Sequence, residues 1–186
     1  DTPLVTGGSG LAIGLARQWA QENGNQARKA GHPLAGRGVV LSGSCSQMTN
    51  RQVAHYRQIA PAREVDVARC LSTETLAAYA HELAEWVLGQ ESVLAPLVFA
   101  TASTDALAAI QQQYGAHKAS QAVETLFSQL AARLAAEGVT RFIVAGGETS
   151  GVVTQSLGIK GFHIGPTISP GVPWVNALDK PVSLAL

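Results

Sequence analysis

Residues 141–159 combine a strand-like apolar run with small, hydroxyl and acidic residues, in the order RFIVAGGETSGVVTQSLGI. The cluster consists of Gly146, Gly147, Glu148, Thr149 and Ser150. Glycine at the end of a strand lets backbone N–H groups approach a phosphate, and the helix-like pattern that follows adds a positive dipole end. Glu148 could hold Mg²⁺, accept hydrogen bonds from ribose hydroxyls, or simply be an acid favoured by the helix dipole.

Two more strand-like runs end in clusters of the same kind. A single cluster is typical of a tight turn followed by a helix N-cap. Three clusters in one domain instead predict an anionic, phosphate-bearing ligand at the carboxyl ends of the strands. Neither a Walker A loop nor the protein-kinase motifs occur in the sequence. The two additional clusters are Gly7, Gly8, Ser9 and Gly10 after Val5-Thr6, and Ser42, Gly43 and Ser44 after Val40-Leu41.

The elements that must position these clusters alternate along the chain. Several of the strand-like runs are continuously apolar, which is typical of strands covered on both faces. Helical stripes separate them, and the alternation predicts an α/β fold, a three-layer α/β/α domain with a mostly parallel sheet. The predicted strands are 4–6, 38–41, 64–67, 97–100, 142–145, 161–164 and 182–186. The predicted helical stripes are Leu11-Leu15-Trp19, Leu76-Tyr79-Leu83-Val87 and Val123-Leu126-Leu130-Leu134, with Ser72 as the N-cap of the second.

The composition excludes several classes of protein. Of 186 residues, 46% are hydrophobic and 14% are charged, which fits one folded domain and not a disordered chain. Lys+Arg and Asp+Glu number 13 each, so the charge balance predicts no nucleic-acid partner and no membrane partner. No apolar run approaches the roughly 20 residues that span a bilayer. With two separated cysteines, Cys45 and Cys70, and no visible signal peptide, we expect a cytoplasmic protein with reduced thiols.

Four segments together carry a resemblance to a known family: VTGGSGLA, VLSGSCSQMTNRQV, VAGGETSGVVTQSLGI and SPGVPW. In this order, over essentially the whole chain, they resemble the C-terminal nucleotide-binding domain of the four-carbon acid sugar kinases, in particular the 3-oxo-tetronate kinase branch. The resemblance implies that residues 1–186 form an ATP-binding domain. It further implies transfer of the γ-phosphate to the terminal hydroxyl of a four-carbon sugar acid such as 3-oxo-tetronate. It also implies an N-terminal acid-sugar domain that is absent from this chain.

The ends of the sequence agree with that expectation. The chain has no initiator Met, begins in one strand-like segment and stops in another. We therefore expect a piece of a longer polypeptide, and we predict no measurable turnover from the piece alone. The sequence does not identify the catalytic base, and it is compatible with a homo-oligomer.

The resemblance also assigns roles to individual residues. Ser44 and the Gly146-Gly147 pair match nucleotide-contacting positions of the family, and Glu148 stands where many relatives have Asp. That exchange keeps the charge and lengthens the reach, so a Mg²⁺ role for Glu148 stays open. The cluster from Gly7 to Gly10 is expected to face the cleft between domains, and Gly171 and Pro173 are expected to shape the same rim. The full predicted nucleotide-binding set is Ser42, Gly43, Ser44, Gly146, Gly147, Glu148, Thr149 and Ser150.

Two other functions are compatible with parts of the sequence. The first is an NAD(P)-dependent short-chain reductase, for which Tyr114 and Lys118 have the Tyr-x-x-x-Lys spacing. Leu11 stands where that family places a glycine, and Gly115 would weaken the helix that must carry the pair. The second is a non-catalytic nucleotide-binding domain, which would bind ATP without consuming it. The side-chain cations that could contact phosphate are Lys118, Lys160, Lys180 and several arginines, and the sequence does not decide among them.

Overall fold

The computed structural model describes residues 4–24, 32–44, 46–100, 112 and 115–186. Within them the helices are α1 (Ser9–Asn23), α2 (Gln47–Tyr56), α3 (Thr73–Leu88), α4 (Ala116–Ala136) and α5 (Gly147–Ser156), with a short 3-10 helix at Val67–Cys70. The strands are β1 (Gly38–Ser42), β2 (Ala62–Glu64), β3 (Leu97–Phe99), β4 (Arg141–Ala145), β5 (Phe162–Ser169), β6 (Val172–Ala177) and β7 (Ser183–Ala185).

The seven strands form one sheet in the order β2-β3-β1-β4-β7-β6-β5. The pairs from β2 to β7 are parallel, whereas β6 pairs antiparallel with both β7 and β5. Parallel neighbours require crossover connections, which α3 and α4 supply between strands of this sheet. The predicted α/β fold with a mostly parallel sheet is confirmed.

One face of the sheet carries the main hydrophobic core. Val39 and Leu41 of β1 project from this face together with Phe142 of β4, and all three are fully buried. The predicted stripes of α3 and α4 cover them, as the spacing of three and four residues requires. Ser72 is the N-cap of α3, as predicted, although its side chain makes no capping hydrogen bond.

The opposite face is covered by α2. Val53 of this helix packs on Leu97 and Phe99 of β3, and Tyr56 donates a 2.8 Å hydrogen bond from its hydroxyl to the carbonyl of Ala95. Helices therefore lie on both faces, which gives the three predicted layers. Helix α2 does not cover β4, as Ile143 of β4 shows: it lies on this face and remains 37% exposed.

The segment before β1 is joined to the far half of the sheet by hydrogen bonds. Leu34 donates its N–H to the hydroxyl of Ser183 at 2.8 Å, and the amide of Asn176 donates to the carbonyl of His32 at 3.1 Å. The hydroxyl of Thr140 donates to the carbonyl of Ala35 at 2.9 Å. Residues 32–37 therefore belong structurally to the sheet.

Three features differ from the predicted elements. Residues 4–6 form no strand, and the chain there leads directly into α1. The strand predicted at 64–67 lies earlier, at β2, because Asp66 caps the 3-10 helix by accepting a hydrogen bond from the N–H of Ala68 at 3.0 Å. Strand β6 was not predicted. None of the described helices is long and apolar enough to cross a membrane.

Candidate functional site

The carboxyl ends of β1, β3 and β4 lie at one level on the same edge of the sheet. Ser42 of β1 stands opposite Phe99 of β3 and opposite Ala145 of β4. Two hydrogen bonds continue the ladder past the strand ends: Gly43 donates to the carbonyl of Ala145 at 3.1 Å, and Ala100 donates to that of Ser42 at 2.8 Å. The clusters at 42–44 and 146–150 are therefore adjacent, as the sequence predicted for strands that end together.

The two clusters are in direct contact through their glycines. Gly146 has a φ of 119°, a conformation that L-residues rarely adopt, and a Cβ on it would lie 3.2 Å from the nitrogen of Ser44. A Cβ on Gly43 would lie 2.3 Å from Oγ1 of Thr149, far inside a van der Waals contact. Glycine at positions 43 and 146 is thus required by the packing of one junction against the other.

Thr149 and Phe127 form the floor beneath this contact. Thr149 is 3% exposed, and its Oγ1 lies next to both Gly43 and Gly146. Phe127 of α4 is fully buried, and its ring edge would lie 3.3 Å from a Cβ on Gly43. The sequence placed Thr149 in the site but gave Phe127 no role. Its only signal was its position beside Leu126 in the buried stripe of α4.

The N-terminus of α5 is open at this edge. The helix begins at Gly147 after the N-cap Gly146, and no side chain caps it. The first N–H groups of a helix have no acceptor within the helix, so they are available to an anion. Gly147 and Glu148 are exposed, and a Cβ on Gly147 would meet nothing within 4 Å. Gly147 is therefore a glycine that packing does not require.

A second helix N-terminus lies at the same edge. Helix α2 follows β1, and Ser46 caps it by accepting a hydrogen bond from the N–H of Thr49 at 3.1 Å. The hydroxyl of Ser44 accepts a hydrogen bond from the N–H of Ser46 at 3.2 Å. Ser44 thus holds the turn into α2 while it lies beside Gly146. The positive ends of α2 and α5 both point toward the space above the two junctions.

Glu148 is the acidic side chain of the two glycine-hydroxyl junctions. It lies exposed in the first turn of α5. Among the residues that the structure describes, no group of three or more His, Cys, Asp or Glu side chains is close enough to hold a metal. A magnesium ion here would share Glu148 with phosphate oxygens and water, which is the usual way in which proteins bind Mg²⁺ with nucleotides. The open N-terminus beside Glu148 fits a Mg-phosphate group.

The remaining predicted rim residues divide into two groups. Trp174 of β6 pairs with Ala185 of β7, which is itself level with Ile143 of β4, so Pro173 lies just inside the carboxyl edge of the sheet and the turn containing Gly171 lies at that edge. They lie at the same edge as Gly146, two strands away. The cluster from Gly7 to Gly10 is not brought to the junctions. A Cβ on Gly7 would touch only Leu11 of α1, and the space around Gly8 and Gly10 is open to 4 Å.

The structure separates the candidate lysines. Lys180 donates from Nζ to the carbonyl of Leu157 at 2.5 Å, which places it at the C-terminal end of α5. Lys160 follows the same end, about 15 Å from the helix N-terminus by the rise of a ten-residue helix. Lys118 instead lies exposed in the first turn of α4, which enters from the carboxyl edge. Of these three lysines, Lys118 is on the side of the glycine junctions.

A cavity of about 460 Å³ lies at the other edge of the sheet. Its lining includes the starts of β1 and β4 at Gly38 and Arg141, and Pro96 just before β3. It is therefore separated from the glycine junctions by the length of the strands. The predicted ligand site and this cavity are different places.

The expectation of two reduced cysteines and the expectation of a Tyr114–Lys118 pair lie partly outside the described residues, because Cys45 and Tyr114 fall there. Cys70 is buried, and burial and the nearby Asp66 raise the pKa of its thiol to about 12, so it is an inert reduced cysteine. Lys118 lies in a helix that begins only at Ala116, after Gly115 with a φ of 87°.

Comparison with known proteins identifies the class to which this fold and edge belong. Residues 39–186 match the family described as nucleotide-binding C-terminal domain, and the chain belongs to that family.

The individual relatives share one name. The chain is 98% identical over 170 residues to the 3-oxo-tetronate kinase of Escherichia coli K12, covering 91% of this chain and 44% of that protein. It is 78% identical to the 3-oxo-tetronate kinase of Salmonella typhimurium LT2, covering 100% and 44%. The chain therefore spans less than half the length of these relatives. A Salmonella typhimurium LT2 crystal structure that carries a provisional tRNA synthase description matches with a TM-score of 0.89 and 76% identity, over 100% of this chain and 43% of that one.

Proposed function

We propose that this chain is the ATP-binding part of a kinase that phosphorylates the terminal hydroxyl of a four-carbon sugar acid such as 3-oxo-tetronate. The observation that carries the proposal is the contact between two glycine-hydroxyl junctions beside the uncapped N-terminus of α5. The name of the relatives, 3-oxo-tetronate kinase, supports the reaction and the substrate class. A tRNA-directed function gains no support from a chain with 13 basic and 13 acidic residues.

The residues of this edge have separate tasks in the proposed reaction. The backbone N–H groups of Gly147, Glu148 and Thr149 bind the phosphate oxygens, and the dipoles of α2 and α5 offset their charge. Glu148 would hold Mg²⁺, and the ion would supply positive charge to offset that of the phosphates. Thr149 and Phe127 fix the distance between the junctions by packing beneath them. In this proposal Lys118, at the start of α4, is the candidate lysine for phosphate contact, because Lys160 and Lys180 lie at the C-terminal end of α5.

The chemistry requires little covalent help from these residues. The terminal hydroxyl oxygen of the sugar acid attacks the γ-phosphorus, the bond to the bridging oxygen breaks, and ADP leaves. Catalysis then depends mainly on positioning and on charge stabilisation, which backbone donors at a fixed edge supply. The sugar acid and the base that takes the hydroxyl proton belong, in this proposal, to an N-terminal domain of the same polypeptide.

Titration of the full-length enzyme with Mg·ATP tests the nucleotide site. Gly147→Val places a side chain in the open space at the N-terminus of α5, so we expect ATP affinity to fall at least about 100-fold. Gly151→Val is the matched control, because it lies one turn further in the same helix and a Cβ there also meets nothing within 4 Å. Isothermal calorimetry on both variants measures the difference. Unchanged ATP affinity in Gly147→Val would remove the site assignment.

The catalytic part of the proposal has its own measurement. Full-length enzyme supplied with four-carbon sugar acids and Mg·ATP should release ADP with at least one of them. Binding of ATP without ADP release from any tetronate or threonate would leave a non-catalytic nucleotide-binding domain as the function.

A further inference from the structure

Helix α1 exposes an apolar stripe to solvent. Leu11, Leu15 and Trp19 follow one another at intervals of four residues and lie on one side of the helix, whereas the exposed Ile13 lies on the opposite side. None of the 15 residues of α1 is buried, and Trp19 remains 62% exposed. An amphipathic helix normally packs its apolar side on another part of the protein. In α1 the large apolar side chains all reach solvent, so that packing surface is missing.

The helix also lacks the features that would stabilise it alone. Gly10 and Gly14 lie inside it and lower its helix propensity. Its N-cap Gly8 makes no side-chain capping bond, its first turn has no acid and its last turn has no base. An isolated helix of 15 residues is marginal in water even with a favourable sequence. Helix α1 therefore needs tertiary packing to persist.

The comparisons point to where that packing surface lies. The family match begins at residue 39 and leaves α1 outside it. The relatives that match this chain are more than twice its length. We propose that the face formed by Leu11, Leu15 and Trp19 docks onto the remainder of the full-length polypeptide, outside residues 39–186. In this proposal the receiving surface is an apolar groove of that remainder, and the Trp19 indole fits a pocket in the groove.

This docking has a consequence for the first glycine cluster. Gly7 and Gly8 lead directly into α1. When α1 packs on the remainder of the polypeptide, the cluster is held on that side and is not part of the edge formed by Gly43 and Gly146. The interface does not depend on a bound nucleotide, so its test is separate from the test of ATP binding.

Hydrogen exchange without nucleotide, on the full-length enzyme and on the 186-residue chain, tests the proposal. We expect the amides of α1 to exchange at least about 100-fold more slowly in the full-length enzyme, because the docked helix must open before it exchanges. Amides of β1 and β4 report whether each protein is folded. Equally fast exchange of α1 in both proteins would overturn the proposal.

A pair of variants of the full-length enzyme locates the docking face. Trp19→Ser should lose most of the α1 protection while β1 and β4 keep theirs. Ile59→Ser is the control, because Ile59 is comparably exposed, at 58%, but lies in the turn after α2. Equal protection of α1 in Trp19→Ser and in the unmodified enzyme would overturn the assigned face. Protection of α1 in the 186-residue chain itself, alone or through a dimer seen by sedimentation, would overturn the assigned receiving surface.

Discussion

At the residue scale, Thr149 is the side chain that joins the two junctions. Its hydroxyl lies against Gly43 from β1 and against Gly146 from β4, and the residue is almost completely buried. The glycines of this edge therefore differ in purpose. Gly43 and Gly146 are required by packing and by backbone conformation, whereas Gly147 has open space around it. The glycine without a packing role is the one that a phosphate would contact.

The contact between Gly43 and Thr149 predicts a coupled pair of substitutions. Gly43→Ala should lower the free energy of unfolding by about 1–3 kcal/mol, because its methyl group overpacks against Oγ1 of Thr149. In a Thr149→Ala background the same change should cost at least about 0.5 kcal/mol less, since the clashing oxygen is gone. Urea unfolding of the four proteins gives the coupling. Additive costs would show that Thr149 does not limit the space at position 43.

The sequence anticipated the chemistry of these residues better than their contacts. Glycine and hydroxyl types at strand ends were sufficient to predict that 42–44 and 146–150 belong to one edge. The contact of Gly43 with Phe127 and Thr149 joins residues more than 80 positions apart, so no local pattern in the sequence encodes it. The nucleotide-binding roles of the individual residues remain predictions, to be tested by the variants at Gly147 and Gly151.

At the element scale, periodicity identified the elements that are buried on one side. The stripes of α3 and α4 are buried as predicted, because intervals of three and four residues place their side chains on one helix face. Residues 4–6 resemble a strand in composition, but a strand needs a neighbour, and none of the strands that the structure describes pairs with them. Strand β6 was missed because Pro173 and Gly171 are typical of turns, although β6 runs between two strands.

The position of Lys180 predicts a stabilising role in helix α5. Lys180→Ala should lower the free energy of unfolding by about 0.5–2 kcal/mol, because the ammonium group bonds the carbonyl of Leu157 at the negative end of the helix. Affinity of the full-length enzyme for ATP should stay within about twofold, which corresponds to less than 0.5 kcal/mol. Lys160→Ala is the control, since Lys160 is exposed near the same helix end. A large loss of ATP affinity in Lys180→Ala alone would place that lysine at the phosphates.

At the scale of the whole molecule, the part of the chain before β1 has two different structural roles. Residues 32–37 are bonded to β6, β7 and the start of β4, whereas α1 buries no residue. Among the residues that the structure describes, the hydrogen bonds that hold the sheet therefore include residues 32–37 but none from α1. The family match begins at residue 39, so it does not include residues 32–37, which are bonded to β6 and β7.

Two truncations separate these roles. Deletion of residues 1–24 should leave the unfolding midpoint of the chain unchanged, because no buried contact of the sheet is lost. Deletion of residues 1–36 should lower the free energy of unfolding by about 2–4 kcal/mol, because it removes hydrogen-bond partners of Ser183, Asn176, Thr140 and Arg141. Chemical denaturation of both products measures the effect. A lower midpoint in the shorter deletion would show that α1 packs on its own sheet.

The order of the strands has a consequence for how this protein is made. Strand β7 follows β5 and β6 in sequence, yet it lies between β4 and β6. A nascent chain that has already released β5 and β6 from the ribosome still has a gap in the middle of its sheet. During that interval the facing edges of β4 and β6 have unpaired amides and carbonyls, which are the groups that recruit chaperones or other unfinished chains.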